Sequence, residues 1–244
     1  MFISFSIISH EQGVLVRRLL TDMRALQITD FEIILTLNMP ESDDFLSELT
    51  DLPLRVIRNQ KPKGFGANHN AAFALAQGRY FAIVNPDVRL PQSDPEALLA
   101  SFADGGIGAC APTVLSPQGG EEDNARRFPT VLRLIRRVLG FWSVLGFRGK
   151  LDYCPNSSPV AVDWVAGIFV IFRREAFAEV QGFDERFFMY MEDADICRRL
   201  QHAGWQVLLV PGWSIVHDAR RASHRSIKHL RWHLISAFRY LTGL

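Results

Sequence analysis

The chain has 244 residues, 48% of them hydrophobic and 22% charged, with a formal net charge of +1 at pH 7. That balance excludes a disordered polypeptide, allows a sizeable core, and leaves no global attraction to nucleic acid. Three cysteines, Cys110, Cys154 and Cys197, are too few and too scattered for a disulfide framework or a zinc site, so a reducing compartment is expected.

Residues 2–8 read as a first strand. They lack the basic flank and cleavage site of a signal peptide, and no later run offers about 18 uncharged apolar residues, so no membrane span and a cytoplasmic location are expected. Gln12 to Ala25 is predicted helical, because Val14, Leu15, Leu19 and Met23 recur at helical spacing. Strands are predicted at Phe31–Leu37 and Leu54–Arg58, then a helix at Asn68–Ala76 with Gly78 as its stop. Tyr80 to Val84 carries no charge and reads as a strand buried on both faces, which is the mark of a parallel sheet. Pro86 ends it and presents Asp87 just beyond its carboxyl end, where open α/β sheets bind ligands.

A helix at Asp94–Ala103 and a strand at Ile107–Ala111 follow. Residues 112–125 shift to Pro, Gly, Ser and acids. Residues 160–172 and 206–210 read as strands, Glu175–Val180 and Glu192–Ala203 as helices, the latter stopped by Gly204. The alternation of strands and helices predicts an α/β fold, a mostly parallel sheet flanked by helices.

Several stretches carry chemistry. Lys61-Pro-Lys-Gly-Phe-Gly-Ala-Asn-His-Asn70 follows a strand and opens a helix; its glycines and Lys63 suit either an anion at the helix start or a plain turn, but it is neither a dinucleotide fingerprint nor a Walker loop. Asp87 is either a ligand for a hard divalent cation or a solvated acid in a Pro-Asp turn. Glu192, Asp193 and Asp195 crowd one helix start, more acids than capping needs, so one carboxylate there is a candidate general base. Asp163-Trp-Val-Ala-Gly167 offers a flat ring beside a glycine, either a sugar platform or core. His217 is either a structural histidine or a metal ligand. From Arg126 to Lys150 there are seven Lys/Arg and no acid, and from His217 to Leu244 six Lys/Arg, four His and one acid. Both read as basic amphipathic helices that suit an anionic membrane surface or an anionic lipid-linked substrate, or present a solvated basic face with their apolar side packed on the core.

Taken together, Arg58-Asn59, Gly64-Phe-Gly-Ala-Asn68 with Asn70, Val84-Asn-Pro-Asp87, Ala125-Arg-Arg-Phe-Pro129, Val162-Asp-Trp-Val-Ala-Gly167, Phe172-Arg-Arg-Glu-Ala-Phe177, Gly182-Phe-Asp-Glu-Arg-Phe-Phe188, Glu192-Asp-Ala-Asp195 and Val216-His217 resemble a family 2 glycosyltransferase of the GT-A fold, rhamnosyltransferase-like in pattern. The resemblance covers nearly the whole chain. It implies one domain, residues 1–244, with a nucleotide-sugar-binding half (1–111), an acceptor half (112–216) and a basic amphipathic C-terminal helix (217–244). It implies an inverting transfer from a nucleoside-diphosphate sugar to a hydroxyl of a saccharide or lipid-linked acceptor, with no nucleic-acid partner. Asp87, helped by His217, would hold Mg²⁺ or Mn²⁺; Asp193, in the pair with Glu192, would be the base. Ser9, Glu11, Asn38, Asn59, Lys63, Gly64, Phe65, Asn68, Asn85, Trp164 and Gly167 would line the donor and acceptor sites. The chain departs from the family pattern at Asn85, where the first metal carboxylate would stand, at Leu37-Asn38, and at Ser9-His10-Glu11. The alternative is a non-catalytic nucleotide-sugar-binding or scaffold protein on the same fold.

Overall fold

A computed structural model describes residues 2–26, 30–91, 99–133, 152–153, 158–218 and 227–244. Four parallel strands form its first half: β1 (Ile3–Ser9), β2 (Phe31–Leu37), β3 (Leu54–Arg58) and β4 (Tyr80–Val84). Helix α1 (Gly13–Arg24) joins β1 to β2, and α2 (Phe65–Leu75) joins β3 to β4. β1 pairs with both β2 and β4, so the strand order reverses beside it, the place where such sheets open a crevice at their carboxyl ends. β4 is buried along its whole length, as its uncharged sequence requires.

The second half is woven into the same sheet. Among the described residues the order is β3-β2-β1-β4-β10-β6-β11-β5, with β8 paired to β11. β5 is Val88–Arg89, β6 Ile107–Leu115, β8 Val160–Ala161, β10 Phe169–Arg173 and β11 Gln206–His217; β7 (Ala125–Arg126) and β9 (Trp164–Val165) form a separate antiparallel pair. β10 runs antiparallel between β4 and β6, which sets the turn that precedes it against the chain that leaves β4. The boundary expected at residue 111 therefore falls inside β6, and the two halves share one sheet. Two apolar layers cover it. One contains Ile7, Leu19, Leu35, Val84 and Phe169 on the α1 side; the other contains Phe81, Phe172, Phe177, Phe183, Ile196 and Leu200.

Several elements differ from the sequence-based expectation. Residues 160–172 are three short strands rather than one, because β8, β9 and β10 pair with three different partners. β11 runs through Pro211-Gly212 as one strand, with a register shift against β6 between Val210 and Ser214 that absorbs the two helix- and strand-breaking residues. Helix α2 begins at Phe65, not Asn68, with Gly64 extended at its start. Gly78 is not a left-handed helix stop; a Cβ there would lie 2.6 Å from the Ser4 backbone nitrogen, so the residue is small because strand β1 passes against it. Gly204 does have the left-handed conformation, φ +92°, expected after a helix. That helix is α4 (Glu192–His202), preceded by α3 (Arg174–Glu179) and followed by α5 (Ile227–Thr242). Of the helix expected at Asp94–Ala103, residues 94–98 lie outside the described residues and Ser101–Ala103 forms a 3₁₀ turn. Cys110 and Cys197 are buried free thiols, and burial pushes Cys197 up to about 12, so it is inert; Cys154 lies outside the described residues.

Candidate active site

The carboxyl ends of β1, β2, β3 and β4 carry Ser9, Asn38, Asn59 and Asn85–Asp87 onto one rim. Three asparagines there interlock. Asn59 Nδ2 donates to Asn38 Oδ1 (3.0 Å) and to Asn68 Oδ1 (2.7 Å), Asn38 exchanges hydrogen bonds with the Lys63 backbone (2.9 and 3.0 Å), and Asn68 Nδ2 donates to the carbonyls of Lys63 and Gly64 (3.2 and 3.0 Å). All three are buried. Their amides therefore shape the Lys61–Gly64 loop from inside, and the exposed Lys63 ammonium is what that loop offers outward. Ser9 Oγ donates to Glu41 (2.8 Å), which also accepts from the Glu11 amide (3.2 Å). Glu41 thus belongs to this rim beside Ser9 and Glu11, and nothing in its local sequence, Met39-Pro-Glu-Ser42, announced it.

The glycines of the 64–70 motif admit protein rather than ligand. A Cβ on Gly64 would meet the Phe188 carbonyl at 2.8 Å, and one on Gly66 would meet Phe183 Cβ at 2.6 Å. Phe65 N donates to Phe188 O (2.9 Å), so the first amide of α2 is engaged rather than free for an anion. Asn70 clasps the same loop from both sides, donating to Phe183 O (2.8 Å) and accepting from Phe183 N (2.9 Å). The motif is a seat for residues 182–188, the approach to the acid pair.

That approach ends in Tyr190 and Met191, both left-handed at φ 73° and 68°, which turn the chain into α4. The three acids of its first turn separate by environment. Asp195 is buried and ion-paired with Arg198 (3.2 Å) and Arg199 (2.7 Å), a structural role. Glu192 is also buried, 6% exposed, and burial, reinforced by the neighbouring Asp193 charge, holds its carboxyl well above the ordinary range. Asp193 is part-exposed; burial raises its pKa against the opposing pull of amides from Gly167 and Ala194 and the charge of Arg126. Its Oδ2 accepts from the Gly167 amide at 3.2 Å.

Gly167 links the two ends of the site. It lies in the 166–168 turn, whose Ile168 carbonyl accepts from the Asn85 amide (2.9 Å), so the turn that holds Asp193 also holds the chain leading to Asp87. A Cβ on Gly167 would press Phe65 Cζ at 3.1 Å, which places Phe65 under the same turn. Trp164 is 5% exposed, donates its ring N–H to the Arg127 carbonyl (2.9 Å) and carries the Arg126 guanidinium over its face (5.2 Å). Its ring is core, and its contribution to the rim is to hold Arg126. Asp163 accepts from the Phe128 amide (2.8 Å) and Tyr153 hydroxyl (3.0 Å), tying this layer together.

Asp87 meets the end of β11. Its carbonyl accepts from the Asp218 amide (2.9 Å), and its Oδ1 stands 3.5 Å from His217 Nε2. On the other side of the ring, His217 Nδ1 lies 2.9 Å from Glu122. Burial opposes protonation of His217, but the Asp87 and Glu122 carboxylates outweigh it and raise its pKa. Asp87 Oδ1 is buried with no hydrogen-bond partner, an orphan suited to a cation. Among the described residues no group of three His, Cys, Asp or Glu converges as a self-sufficient metal site. Glu122, Asp123 and Arg126 were missed as site residues; the signal was the Glu121-Glu-Asp-Asn-Ala-Arg126 run, which composition alone presents as a loop.

A mixed, mostly parallel sheet with Asp87 just beyond β4 and Asp193 at the start of α4, tied through the 166–168 turn, has the architecture of the GT-A glycosyltransferase fold. The crystal structure of GalNAc-T7 with UDP, GalNAc and Mn²⁺ superposes with a TM-score of 0.73 over 98% of this chain and 47% of that one, at 15% identity. The sequence places it further: residues 4–180 match Glycosyl transferase family 2 and residues 133–238 match Glycosyl transferase family group 2. The chain belongs to glycosyl transferase family 2. It is 34% identical over 168 residues to the N-acetylglucosaminyl-diphospho-decaprenol L-rhamnosyltransferase of Mycobacterium tuberculosis, a match covering 65% of this chain and 53% of the relative. It is 32% identical over 191 residues to rhamnosyltransferase WbbL of Escherichia coli, covering 73% of this chain and 70% of that protein. The chain thus spans about half the length of the mycobacterial relative.

Proposed function

We propose that this chain is an inverting glycosyltransferase that moves a sugar, rhamnose by analogy with its relatives, from a nucleoside diphosphate to a hydroxyl of a saccharide or polyprenyl-diphosphate-linked acceptor in surface-polysaccharide synthesis. The carrying observation is the 166–168 turn, which holds Asp193 through the Gly167 amide and the Asp87 segment through the Ile168 carbonyl. In this reading Asp193 accepts the acceptor hydroxyl proton as that oxygen attacks the anomeric carbon, and the nucleoside diphosphate leaves from the opposite face in one displacement. A pKa raised by burial suits that task, since a base works best when its pKa approaches the working pH.

The donor set fits a hard divalent cation. Asp87 and His217 would hold Mg²⁺ or Mn²⁺ with the remaining positions left to diphosphate oxygens and water, and the ion would neutralise charge building on the departing diphosphate. Asn85, without a carboxylate, leaves Asp87 as the motif's acid. Incubation with nucleoside-diphosphate rhamnose and an N-acetylglucosaminyl-diphospho-lipid tests the proposal. Product is expected with Mn²⁺ or Mg²⁺, loss with chelator, and recovery on metal re-addition. Donor binding without transfer across donors and acceptors would favour the scaffold alternative; transfer indifferent to chelator would remove the cation from the account while leaving the base.

We further assign an anionic membrane surface as a partner. Among the described residues no helix is long and apolar enough to span a bilayer, yet α5 leaves Leu230, Leu234 and Phe238 60%, 60% and 59% exposed on one face. The other face is docked: His229 meets Tyr190 (2.8 Å), Ser236 donates to Met189 O (2.8 Å) and Trp232 packs on Phe188 at 4.8 Å. The described segment has no acid between Ile227 and Leu244, which complements anionic headgroups. Of the basic stretch 126–150, residues 134–150 lie outside the described residues. Flotation with phosphatidylglycerol vesicles at low salt and release at high salt are expected; sedimentation of the protein away from such vesicles at low salt would refute the assignment.

A further inference from the structure

We propose that Glu122 is a positioning residue that fixes the His217 imidazole in the tautomer able to bind a divalent cation beside Asp87. The inference rests on the cation reading above, and deepens it with a residue outside the family-like motifs. A carboxylate only accepts hydrogen bonds, so the 2.9 Å contact from His217 Nδ1 to Glu122 Oε2 places a proton on Nδ1. In the neutral ring Nε2 is then a bare lone pair. It faces Asp87 Oδ1 at 3.5 Å, and that oxygen is buried without a hydrogen-bond partner. In the neutral ring these are two acceptors facing each other, a gap for a positive charge that the ring's own proton fills when His217 is charged and a cation fills when it is not.

The fold builds this arrangement deliberately from three strands. His217 ends β11 paired to Val88, and the Asp218 amide donates to Asp87 O, which fixes the imidazole backbone beside the acid. β6 pairs Leu115 with Val216, then turns back through Gly119 at φ +80°, with Ser116 N donating to Gly120 O at 2.7 Å. The returning chain is pinned by the Glu122 amide on Val114 O (2.8 Å), which delivers Glu122 to the far side of the ring. Its neighbour Asp123 instead pairs with Arg126 (2.8 Å), so the adjacent acids have separate partners. Metal-bound histidines characteristically give their second ring N–H to a carboxylate, which orients the ring and raises its basicity.

The test uses the full chain and Mn²⁺ alone, with free Mn²⁺ followed by electron paramagnetic resonance. Glu122→Ala is expected to weaken Mn²⁺ binding by about 10- to 100-fold. Glu122→Gln, whose amide oxygen still accepts from Nδ1, is expected to lose less, and His217→Ala at least as much as Glu122→Ala. A second measurement needs no metal: ¹⁵N correlation spectra of the wild-type His217 ring at alkaline pH should show the proton on Nδ1, with Nε2–H appearing in Glu122→Ala. A wild-type ring protonated on Nε2, or a folded Glu122→Ala protein with wild-type Mn²⁺ affinity, overturns the inference. Failure of the wild-type chain to bind Mn²⁺ overturns the cation reading itself and the inference with it, and so is told apart from failure of Glu122 alone.

Discussion

Asp193→Asn is expected to lower kcat by about 10²- to 10⁴-fold, the usual contribution of a positioned general base, while the KM for donor stays near its wild-type value. The split follows from geometry. An asparagine oxygen still accepts from the Gly167 amide while its NH2 gives up the contact that the other carboxylate oxygen makes with the Ala194 amide (2.9 Å), so the 166–168 turn and the Asp87 segment beyond it keep their places as proton acceptance is lost. The neighbouring acid supplies the control. Glu192 is buried, and burial favours the neutral form of its carboxyl, so Glu192→Gln, its near-isostere without a charge, should retain most activity. Stability gives a second reading of the same pair. An acid whose folded pKa lies above its unfolded value binds a proton on folding, so its contribution is fully present below the unfolded pKa and is lost as pH rises through the folded one. The Glu192→Gln protein should therefore gain on wild type as pH rises. Steady-state turnover and thermal melts against pH check both. Wild-type kcat in Asp193→Asn, or a large loss in Glu192→Gln with Asp193 intact, would move the base elsewhere.

Acid unfolding of this protein is expected to carry a histidine signature from His69. Its ring is 1% exposed on α2, stacked edge-on against Phe65 at 4.4 Å, with Nδ1 at 2.8 Å from Ser6 Oγ, and burial lowers its pKa from 6.5 to about 3. Between those values the unfolded chain binds a proton that the native chain refuses, so stability falls as pH drops. The loss is about 1.4 kcal/mol per pH unit, roughly 4–5 kcal/mol across the window, on the scale of a small domain's whole stability. His69→Gln keeps a partner for Ser6 but has no proton to gain. Its urea-unfolding free energy should decline less steeply between pH 6.5 and pH 4 than wild type. Carboxylates contribute to both proteins, so the difference in slope is the quantity that matters, and parallel slopes would show that His69 is not the group responsible.

Much of this molecule is legible in its sequence. The uncharged run Tyr80–Val84 had to be a doubly buried strand, the alternation with α1 and α2 had to give parallel neighbours, and Pro86 had to end β4 with Asp87 on the rim; each follows from local pattern and backbone chemistry. The acid crowd at Glu192–Asp195 was likewise visible as more negative charge than a helix start requires. Which of those acids can act was not visible. Asp195 is taken by Arg198 and Arg199, Glu192 is enclosed, and Asp193 stands part-exposed on the Gly167 amide, distinctions set by residues far along the chain.

The glycines at 64 and 66 show the same limit. Their smallness is a property of the sequence, but whether a phosphate or a protein loop takes the room depends on where residues 183–188 come to lie. Glu41 had no local signal and Glu122 only an acidic run, since the loop after β2 and the turn-back after β6 carry them to Ser9 and His217 across 32 and 95 positions. Sequence alone therefore determined the four parallel strands of the first half, the burial of β4 and the acids on offer, because hydrophobic period and backbone restrictions act over a few residues. Tertiary structure decided which acids are paired, buried or free, because charge and hydrogen bonding depend on distances through space that only the assembled sheet brings about.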